Sequence, residues 1–149
     1  EFFKKCQETG VDGIIIPDCP YEESKEVSDI CYKYDVDLIS MIAPTSKERT
    51  LEIAAQAKGF IYLVSSMGVT GMRSNIVTDI EGIVESIKTV TDTPVAVGFG
   101  INSPAQVKHF GNIADGVIVG SAIVNLIKEH GDRAHQPLFN YIQTLIKEL

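Results

Sequence analysis

Residues 94–104 read PVAVGFGINSP, and this stretch decides the predicted fold. A short apolar run leads directly into Gly98-Phe99-Gly100, and Ser103-Pro104-Ala105-Gln106 follows. Those last four residues have the pattern of a helix start, with a capping box and proline at the first helical position. Strands buried in parallel sheets are apolar at consecutive positions. The stretch therefore predicts a buried strand that turns through glycine into a helix.

The rest of the chain repeats this alternation of apolar runs and helical patterns. Residues 1–10 have the pattern of the second half of an amphipathic helix. Apolar residues spaced at i, i+3, i+4 and i+7 begin again at Val27, Ile80 and Leu138, and Thr45-Ser46-Lys47-Glu48 predicts another capping box. The predicted strands are residues 11–17, 36–43, 59–64, 94–100 and 114–120. This alternation predicts an α/β fold with a parallel sheet and right-handed crossovers.

The composition is that of one globular domain, which we place at residues 1–149. Of the 149 residues, 44% are hydrophobic and 22% are charged, and these fractions argue against disorder, collagen and coiled coil. A formal net charge of -7 argues against binding to nucleic acid or to an anionic membrane surface. No apolar stretch reaches the roughly 20 residues of a membrane helix. We therefore expect neither nucleic acid nor a membrane as a partner.

The cysteines indicate a reducing compartment. Cys6, Cys19 and Cys31 are odd in number and form no C-x-x-C pair, so neither a disulfide framework nor a zinc site is expected. Cys31 falls on the apolar face of a predicted helix, which favours a place in the core. The prediction is a cytoplasmic protein with free cysteines and no metal site.

Two architectures accept this order of elements. Five strand–helix units in about 150 residues fit a complete flavodoxin-like binding or signalling module. They also fit somewhat more than half of a (β/α)8 barrel, whose usual length is about 250 residues. In both architectures the ligand binds at the carboxyl ends of the strands, so the loops after the strands determine the functional prediction.

Glycine follows each of the last three predicted strands. After the third, Gly71 lies in a long polar loop, residues 65–74, which is either a lid or a plain surface loop. After the fourth, Gly98-Phe99-Gly100 is a candidate anion site because N–H groups and a helix dipole converge there. It is not a dinucleotide fingerprint, since Ser103 stands where the third glycine is required. After the fifth, Gly120 precedes Ser121, which is either an oxyanion ligand or an ordinary N-cap.

The last two of these turns together favour the barrel. Many (β/α)8 barrels bind phosphate after strands 7 and 8, the second site opening a short helix. If residues 94–100 are strand 7 and residues 114–120 are strand 8, then residues 11–17 are strand 4. Asp12 and Asp115, which precede their strands, then lie at the opposite, stabilising face.

Five motifs, in order and with compatible spacing, give a family resemblance. They are IPDCPYEE at 16–23, YLVS at 62–65, GVTG at 68–71, GFGI at 98–101 and GSAIV at 120–124. Together they resemble the tryptophan synthase alpha chain over essentially all 149 residues. The resemblance implies a partial (β/α)8 TIM barrel that runs from the third helix through strands 4–8 to the last helix.

The resemblance also implies an activity and a set of site residues. The family is a lyase of tryptophan biosynthesis that cleaves indole-3-glycerol phosphate to indole and glyceraldehyde 3-phosphate. The residues that the resemblance assigns to the substrate phosphate are Gly71, Gly100, Gly120 and Ser121. Those that it assigns to the substrate pocket and its lid are Tyr62, Thr70, Phe99 and Asp18.

A partner chain is implied as well. The family works with a beta chain, and the resemblance places Asp18 and Pro20 where that chain docks. Pyridoxal phosphate belongs to the beta chain, so no cofactor is expected in this chain. Because five strands of a closed barrel leave two edges unpaired, we expect self-association unless another chain supplies the missing strands.

The catalytic pair of the family has no counterpart in this chain. The reaction needs an acid to protonate the indole carbon and a base to remove the glycerol hydroxyl proton. The resemblance places the glutamate and aspartate that do this on strand 2 and the loop after it, before Glu1. It therefore implies that this chain contains no catalytic residue and is inactive alone.

Two alternatives remain open at this level. A flavodoxin-like signalling module of the receiver type needs clustered carboxylates after its first strand and a lysine after its last. Asp18 has no adjacent carboxylate until Glu22, and no lysine follows Ser121 until Lys128. The second alternative is another barrel enzyme that binds a sugar phosphate, and the GVTG motif at 68–71 argues against it.

Overall fold

The fold was established from a computed structural model, which describes residues 1–44, 46–65 and 79–149. The helices are α1 (Phe2–Glu8), α2 (Tyr21–Cys31), α3 (Lys47–Gln56), α4 (Ile80–Lys88), α5 (Pro104–Gly111), α6 (Ser121–His130) and α7 (His135–Ile146). The strands are β1 (Gly13–Ile14), β2 (Asp37–Leu38), β3 (Ser40–Ile42), β4 (Ile61–Val64), β5 (Val95–Gly98) and β6 (Gly116–Val117). Short 3₁₀ turns follow α2 and α6, at Tyr32–Tyr34 and Gly131–Arg133.

The strands pair in parallel and in chain order, which confirms the predicted α/β fold. β1 pairs with β2, and β3, β4, β5 and β6 form a second sheet in that order. A flavodoxin-like sheet would place its first strand between the second and the third, in the order 2-1-3-4-5. The flavodoxin-like alternative is therefore wrong.

The strand predicted at residues 36–43 is divided into β2 and β3. The division lies at Ile39, whose N–H donates to the Ile14 carbonyl at 2.9 Å, whereas Ser40 is already paired with Ile61. The chain thus changes its pairing partner from β1 to β4 at this residue. The strands at the two ends, β1 and β6, have two residues each and are shorter than predicted, and within the described residues each pairs with one neighbour.

The main core lies between the sheet and the helices. Ile61, Leu63, Val95 and Val97 are fully buried against apolar residues of α3, α4, α5 and α7. Side chains alternate across a strand, so Tyr62 lies on the other face, where it is half-buried. The apolar runs predict strands that are buried on both faces. In the structure the strand side chains are fully buried only on the face that contacts the helices.

The predicted start of α5 is confirmed, whereas α3 starts one residue later than predicted. Ser103 caps α5 in a full capping box, with the Gln106 side chain accepting from the Ser103 N–H at 3.2 Å. Ser46 caps α3 and its hydroxyl accepts from the Arg49 N–H at 3.4 Å. This cap lies one residue later than the predicted box implies, and Thr45 itself lies outside the described residues.

The cysteines are free, as predicted. Cys6 and Cys31 are buried in a smaller core cluster with Val36 and Leu38. Burial raises the pKa of the Cys31 thiol, which keeps it protonated and unreactive at neutral pH. Among the described residues, no helix is long and apolar enough to cross a membrane.

Asp115 connects α4, β5 and β6 at the amino-terminal ends of the strands. Its Oδ2 accepts from the Lys88 ammonium at 2.6 Å and from the Val95 N–H at 2.7 Å. The Lys88 hydrogen bond and the Val95 N–H lower the pKa of the Asp115 carboxyl. This residue therefore stabilises the folded chain at the face opposite the predicted ligand site.

We expect Asp115→Asn to lower the free energy of unfolding by about 0.5–1 kcal/mol at pH 7, because the pair with Lys88 is partly exposed and screened. The pKa of Asp115 is lower in the folded than in the unfolded chain, where it is about 3.9. The difference between wild type and variant should thus be complete above about pH 5 and disappear as the pH falls through the folded pKa. Urea unfolding between pH 3 and pH 7 measures it.

Asp132→Asn is the matched control, because Asp132 is exposed in the 3₁₀ turn before α7 and should change stability little. A difference for Asp115→Asn that is the same at pH 3 and pH 7 would contradict this role.

Candidate functional site

A cavity of about 620 Å³ lies at the carboxyl ends of β5 and β6, with Tyr62 of β4 in its wall. Its wall contains five residues that the sequence singled out: Tyr62, Phe99, Gly100, Gly120 and Ser121. Four of them follow the carboxyl ends of β5 and β6, the edge at which parallel α/β folds bind ligands, and Tyr62 lies within the neighbouring strand β4. The structure therefore brings these residues together, and their functional roles stay predictions.

The turn after β5 has a left-handed backbone at two successive residues. The φ angle is 82° at Phe99 and 79° at Gly100. At Gly100 a Cβ would meet no atom within 4 Å, so glycine is favoured there by the positive φ and not by lack of space. At Phe99 an L-residue adopts a conformation that costs about 1–2 kcal/mol, and such strain is concentrated at functional sites.

The start of α6 lies at the same cavity. Gly120 is the N-cap and has no side chain to cap the helix, while Ser121 is the first helical residue. The reading of Ser121 as an ordinary N-cap is therefore wrong. The first N–H groups of a helix and the positive end of its dipole together attract anions, and Gly120, Ser121 and Ala122 place this end of α6 at the cavity wall.

Tyr62 packs directly against Gly98. A Cβ built on Gly98 would lie 2.6 Å from Cζ of the Tyr62 ring and still closer to its hydroxyl oxygen. Sequence reasoning interpreted Gly98 only as part of an anion-binding turn. The structure shows instead that its missing side chain makes room for the tyrosine that forms the cavity wall.

Residues from α6 and α7 complete the cavity and were missed from the sequence. Tyr141 donates its hydroxyl to the Asn102 carbonyl at 2.9 Å, and burial raises the pKa of this tyrosine, so it remains a donor at neutral pH. Asn125 and Glu129 of α6 also line the cavity. The helical period marks Tyr141 only as part of an apolar face, and no local signal shows that it reaches the loop after β5.

Other predicted site residues lie elsewhere. Gly71 and Thr70 are outside the described residues. Asp18 is exposed after β1 and does not line the 620 Å³ cavity. Pro20 is exposed and borders a second cavity of about 490 Å³ between α2 and α3, where Arg49 pairs with Glu22 at 2.7 Å.

Within the described ranges, no group of three or more His, Cys, Asp or Glu side chains could hold a metal ion. The wall of the 620 Å³ cavity combines backbone N–H groups, hydroxyls, the Asn125 amide and apolar side chains with one carboxylate, that of Glu129. At the start of α6, the backbone N–H groups and the Ser121 hydroxyl suit an anion such as a phosphate ester.

The family model described as tryptophan synthase alpha chain matches residues 1–148. The chain is 52% identical to the tryptophan synthase alpha chain of Lactiplantibacillus plantarum over 130 residues, which cover 87% of this chain and 49% of that protein. It is 47% identical to the alpha chain of Lacticaseibacillus casei over 133 residues, covering 89% of this chain and 50% of that protein. The chain thus spans about half the length of the curated relatives it matches.

Solved structures agree with these sequence relatives. The tryptophan synthase subunit alpha from Campylobacter jejuni aligns with a TM-score of 0.79 and 37% identity, covering 92% of this chain and 56% of that chain. A chain from the tryptophan synthase a2b2 complex of Pyrococcus furiosus aligns with a TM-score of 0.82 and 34% identity, covering 98% and 60%. The predicted fold, a partial (β/α)8 barrel, is confirmed.

The contact between Tyr62 and Gly98 predicts a measurable coupling. Gly98→Ala should lower the free energy of unfolding by about 1–3 kcal/mol, because the new methyl group displaces the ring. In a Tyr62→Ala background the same substitution should cost much less, because the ring is no longer there. A double-mutant cycle by urea unfolding measures the coupling.

Gly116→Ala is the control for adding a methyl group to a strand glycine, since its Cβ would lie 3.6 Å from the Ala96 Cβ, an ordinary contact. Equal costs of Gly98→Ala in the two backgrounds would show that the ring does not occupy this space.

Proposed function

Because the chain belongs to the tryptophan synthase alpha chain family, we propose that its 620 Å³ cavity binds the phosphate group of indole-3-glycerol phosphate. The whole alpha subunit would cleave this substrate to indole and glyceraldehyde 3-phosphate. One observation supports the proposal above others: Gly100 and the pair Gly120-Ser121, twenty positions apart in sequence, meet around one cavity. Membership of the family also argues against the alternative of a different sugar-phosphate barrel enzyme.

The phosphate would be bound by neutral groups. In the proposal, the N–H groups at Gly100 and Gly120 and the Ser121 hydroxyl donate to its oxygens, and the dipole of α6 adds a favourable charge interaction. Gly71 and Thr70, which lie outside the described residues, complete the phosphate site and the lid. No residue here needs to change its protonation state for binding.

The rest of the substrate would extend over the inner face of the barrel. The ring of Tyr62 and the exposed side of Phe99 border the same cavity, and aromatic faces suit an indole group. Tyr62 would thus lie near the carbons between which the bond breaks. These contacts orient the substrate, and they do not transfer a proton.

The acid and the base that transfer protons would lie in another part of the family's barrel. Cleavage requires an acid at the indole carbon and a base at the glycerol hydroxyl, each worth about 10²–10⁴-fold in rate. By resemblance no residue of this chain is matched to either group. We therefore propose that residues 1–149 are one partial barrel domain that supplies the phosphate-binding part of the site and is inactive alone.

A beta chain holding pyridoxal phosphate is the proposed partner of the whole subunit. The Pyrococcus furiosus neighbour is described as an a2b2 complex, and Asp18 and Pro20 are exposed on the segment after β1, where the resemblance places the contact. No cofactor is proposed for this chain. The proposed location is the cytoplasm, which the three free cysteines support.

Binding of glycerol 3-phosphate tests the phosphate site. A Cβ at Gly120 would meet nothing within 4 Å, and Asp and Asn are both favourable at an N-cap, so neither variant should disturb folding. Calorimetric titration should show that Gly120→Asp weakens binding by more than about a hundredfold through charge repulsion. Gly120→Asn, of the same size without the charge, should weaken it by no more than about tenfold.

Equal binding by wild type and Gly120→Asp would place the phosphate elsewhere. Failure of the wild-type chain to bind at all would contradict the proposed site in this chain.

Indole release tests the absence of catalysis. The chain incubated with indole-3-glycerol phosphate should release indole no faster than buffer does, measured by chromatography with fluorescence detection. The full-length alpha chain of Lacticaseibacillus casei is the positive control. Release that scales with the concentration of this chain and is lost in Gly120→Asp would contradict the proposal.

Self-association is proposed for the chain on its own. In the part of the chain that the structure describes, β1 and β6 each pair on one side only, and α6 and α7 expose Val124, Ile127, Phe139 and Ile146, each at least 47% accessible. Burial of such surface favours association. Gel filtration with light scattering at micromolar concentration should therefore show a dimer or larger species, and a stable monomer would contradict this proposal.

A further inference from the structure

Ser65, the residue after β4, makes two hydrogen bonds to the turn after β5. Its N–H donates to the Gly98 carbonyl at 2.8 Å, which continues the pairing of the two strands by one residue. Its hydroxyl donates to the Phe99 carbonyl at 2.6 Å. The second bond reaches across 34 positions in sequence, and it belongs to the side chain, so a substitution can remove it without changing the strand.

The Phe99 carbonyl belongs to the same peptide group as the Gly100 N–H. In a trans peptide the C=O and N–H bonds are coplanar and point in opposite directions. β4 and β6 flank β5 on opposite sides. With its carbonyl held toward Ser65 beside β4, this peptide turns the Gly100 N–H toward the side of β6, where Gly120 and Ser121 form the cavity wall.

The backbone on each side of this peptide does not hold that direction by itself. Phe99 has a φ of 82°, a region that an L-residue seldom adopts. Gly100, at 79°, has no side chain and reaches negative φ as readily. A peptide between two such residues needs an external contact to keep one orientation, and the Ser65 hydroxyl supplies it.

We propose that Ser65 is a positioning residue of the phosphate site: its hydroxyl holds the Phe99 carbonyl and so aims the Gly100 N–H at the ligand. The inference rests on the proposed phosphate function of the cavity. Ser65 does not contact the ligand in this account. It acts through the Gly98-Phe99-Gly100 turn, and its removal leaves the N–H groups at Gly120 and Ser121 in place.

The direct test is the orientation of one N–H bond in the ligand-free chain. In the ¹⁵N-labelled protein, the residual dipolar coupling of the Gly100 N–H reports its direction. Ser65→Ala should change this coupling while the couplings of Val95 and Val97 in β5 stay the same. Ser65→Thr keeps the hydroxyl and should keep the wild-type value. Unchanged coupling at Gly100 in Ser65→Ala would overturn the inference.

A titration with glycerol 3-phosphate gives the functional result. Ser65→Ala should bind about tenfold more weakly than wild type, the size expected for losing one well-placed hydrogen bond to the ligand. Its Gly100 amide signal should no longer shift on titration, while the Gly120 signal still shifts. A general loss of structure would remove both responses, so the pair of signals separates positioning from stability.

Ser86→Ala is the matched control, because the Ser86 hydroxyl bonds to the Gly82 carbonyl within α4, away from the cavity. It should bind like wild type. If wild type does not bind, the proposed function fails, and the dipolar coupling still decides the role of Ser65. If wild type and Ser65→Ala bind equally and show the same Gly100 response, the inference fails and the phosphate site stands.

Discussion

The parallel pairing of β4 with β5 is the constraint on which the core and the site both depend. It aligns four residues of each strand, from Ile61 beside Val95 to Val64 beside Gly98. Because side chains alternate across a strand, this register turns Ile61 and Val95 together into the core and leaves Tyr62 on the inner face. A slip of one residue would exchange the two faces. The apolar core therefore also determines where the Tyr62 ring lies, over Gly98.

Glycine serves two different purposes at the end of this pair of strands. At Gly98 the Tyr62 ring occupies the space of a side chain. At Gly100 space is free and the positive φ excludes most other residues. The G-x-G pattern alone does not distinguish these cases, since both read as a flexible turn. Gly100 lines the cavity and Gly98 does not, so one glycine of the motif serves packing and the other borders the candidate site.

The order of elements could be predicted because each one is marked by signals within a few residues, such as the capping box at Ser103. The lengths of the end strands could not be predicted. Residues 11–17 and 114–120 are as apolar as central strands, and the number of strands that pair with them is set by the whole sheet and not by the local sequence. Of the five cavity residues, Tyr62 was found only through the resemblance, whereas the turns that contain Phe99, Gly100, Gly120 and Ser121 were already marked by their glycines. Ser65 and Tyr141 were not, because their hydroxyls bond to carbonyls more than thirty residues away.

In a chain with a net charge of -7, the proposed phosphate site depends on how far the carboxylates lie from it. Glu129 lines the same cavity as Ser121, but the two stand eight positions apart on α6, or about 12 Å along the axis. This separation places the Glu129 backbone more than two turns of α6 away from the proposed phosphate position. Among the described residues, the cavity wall contains no lysine or arginine whose positive charge could compensate for an N–H group that points away from the ligand. In the proposed site, affinity would then depend on the direction of a few N–H bonds, and this is why we expect the Ser65 hydroxyl, outside the cavity wall, to influence it.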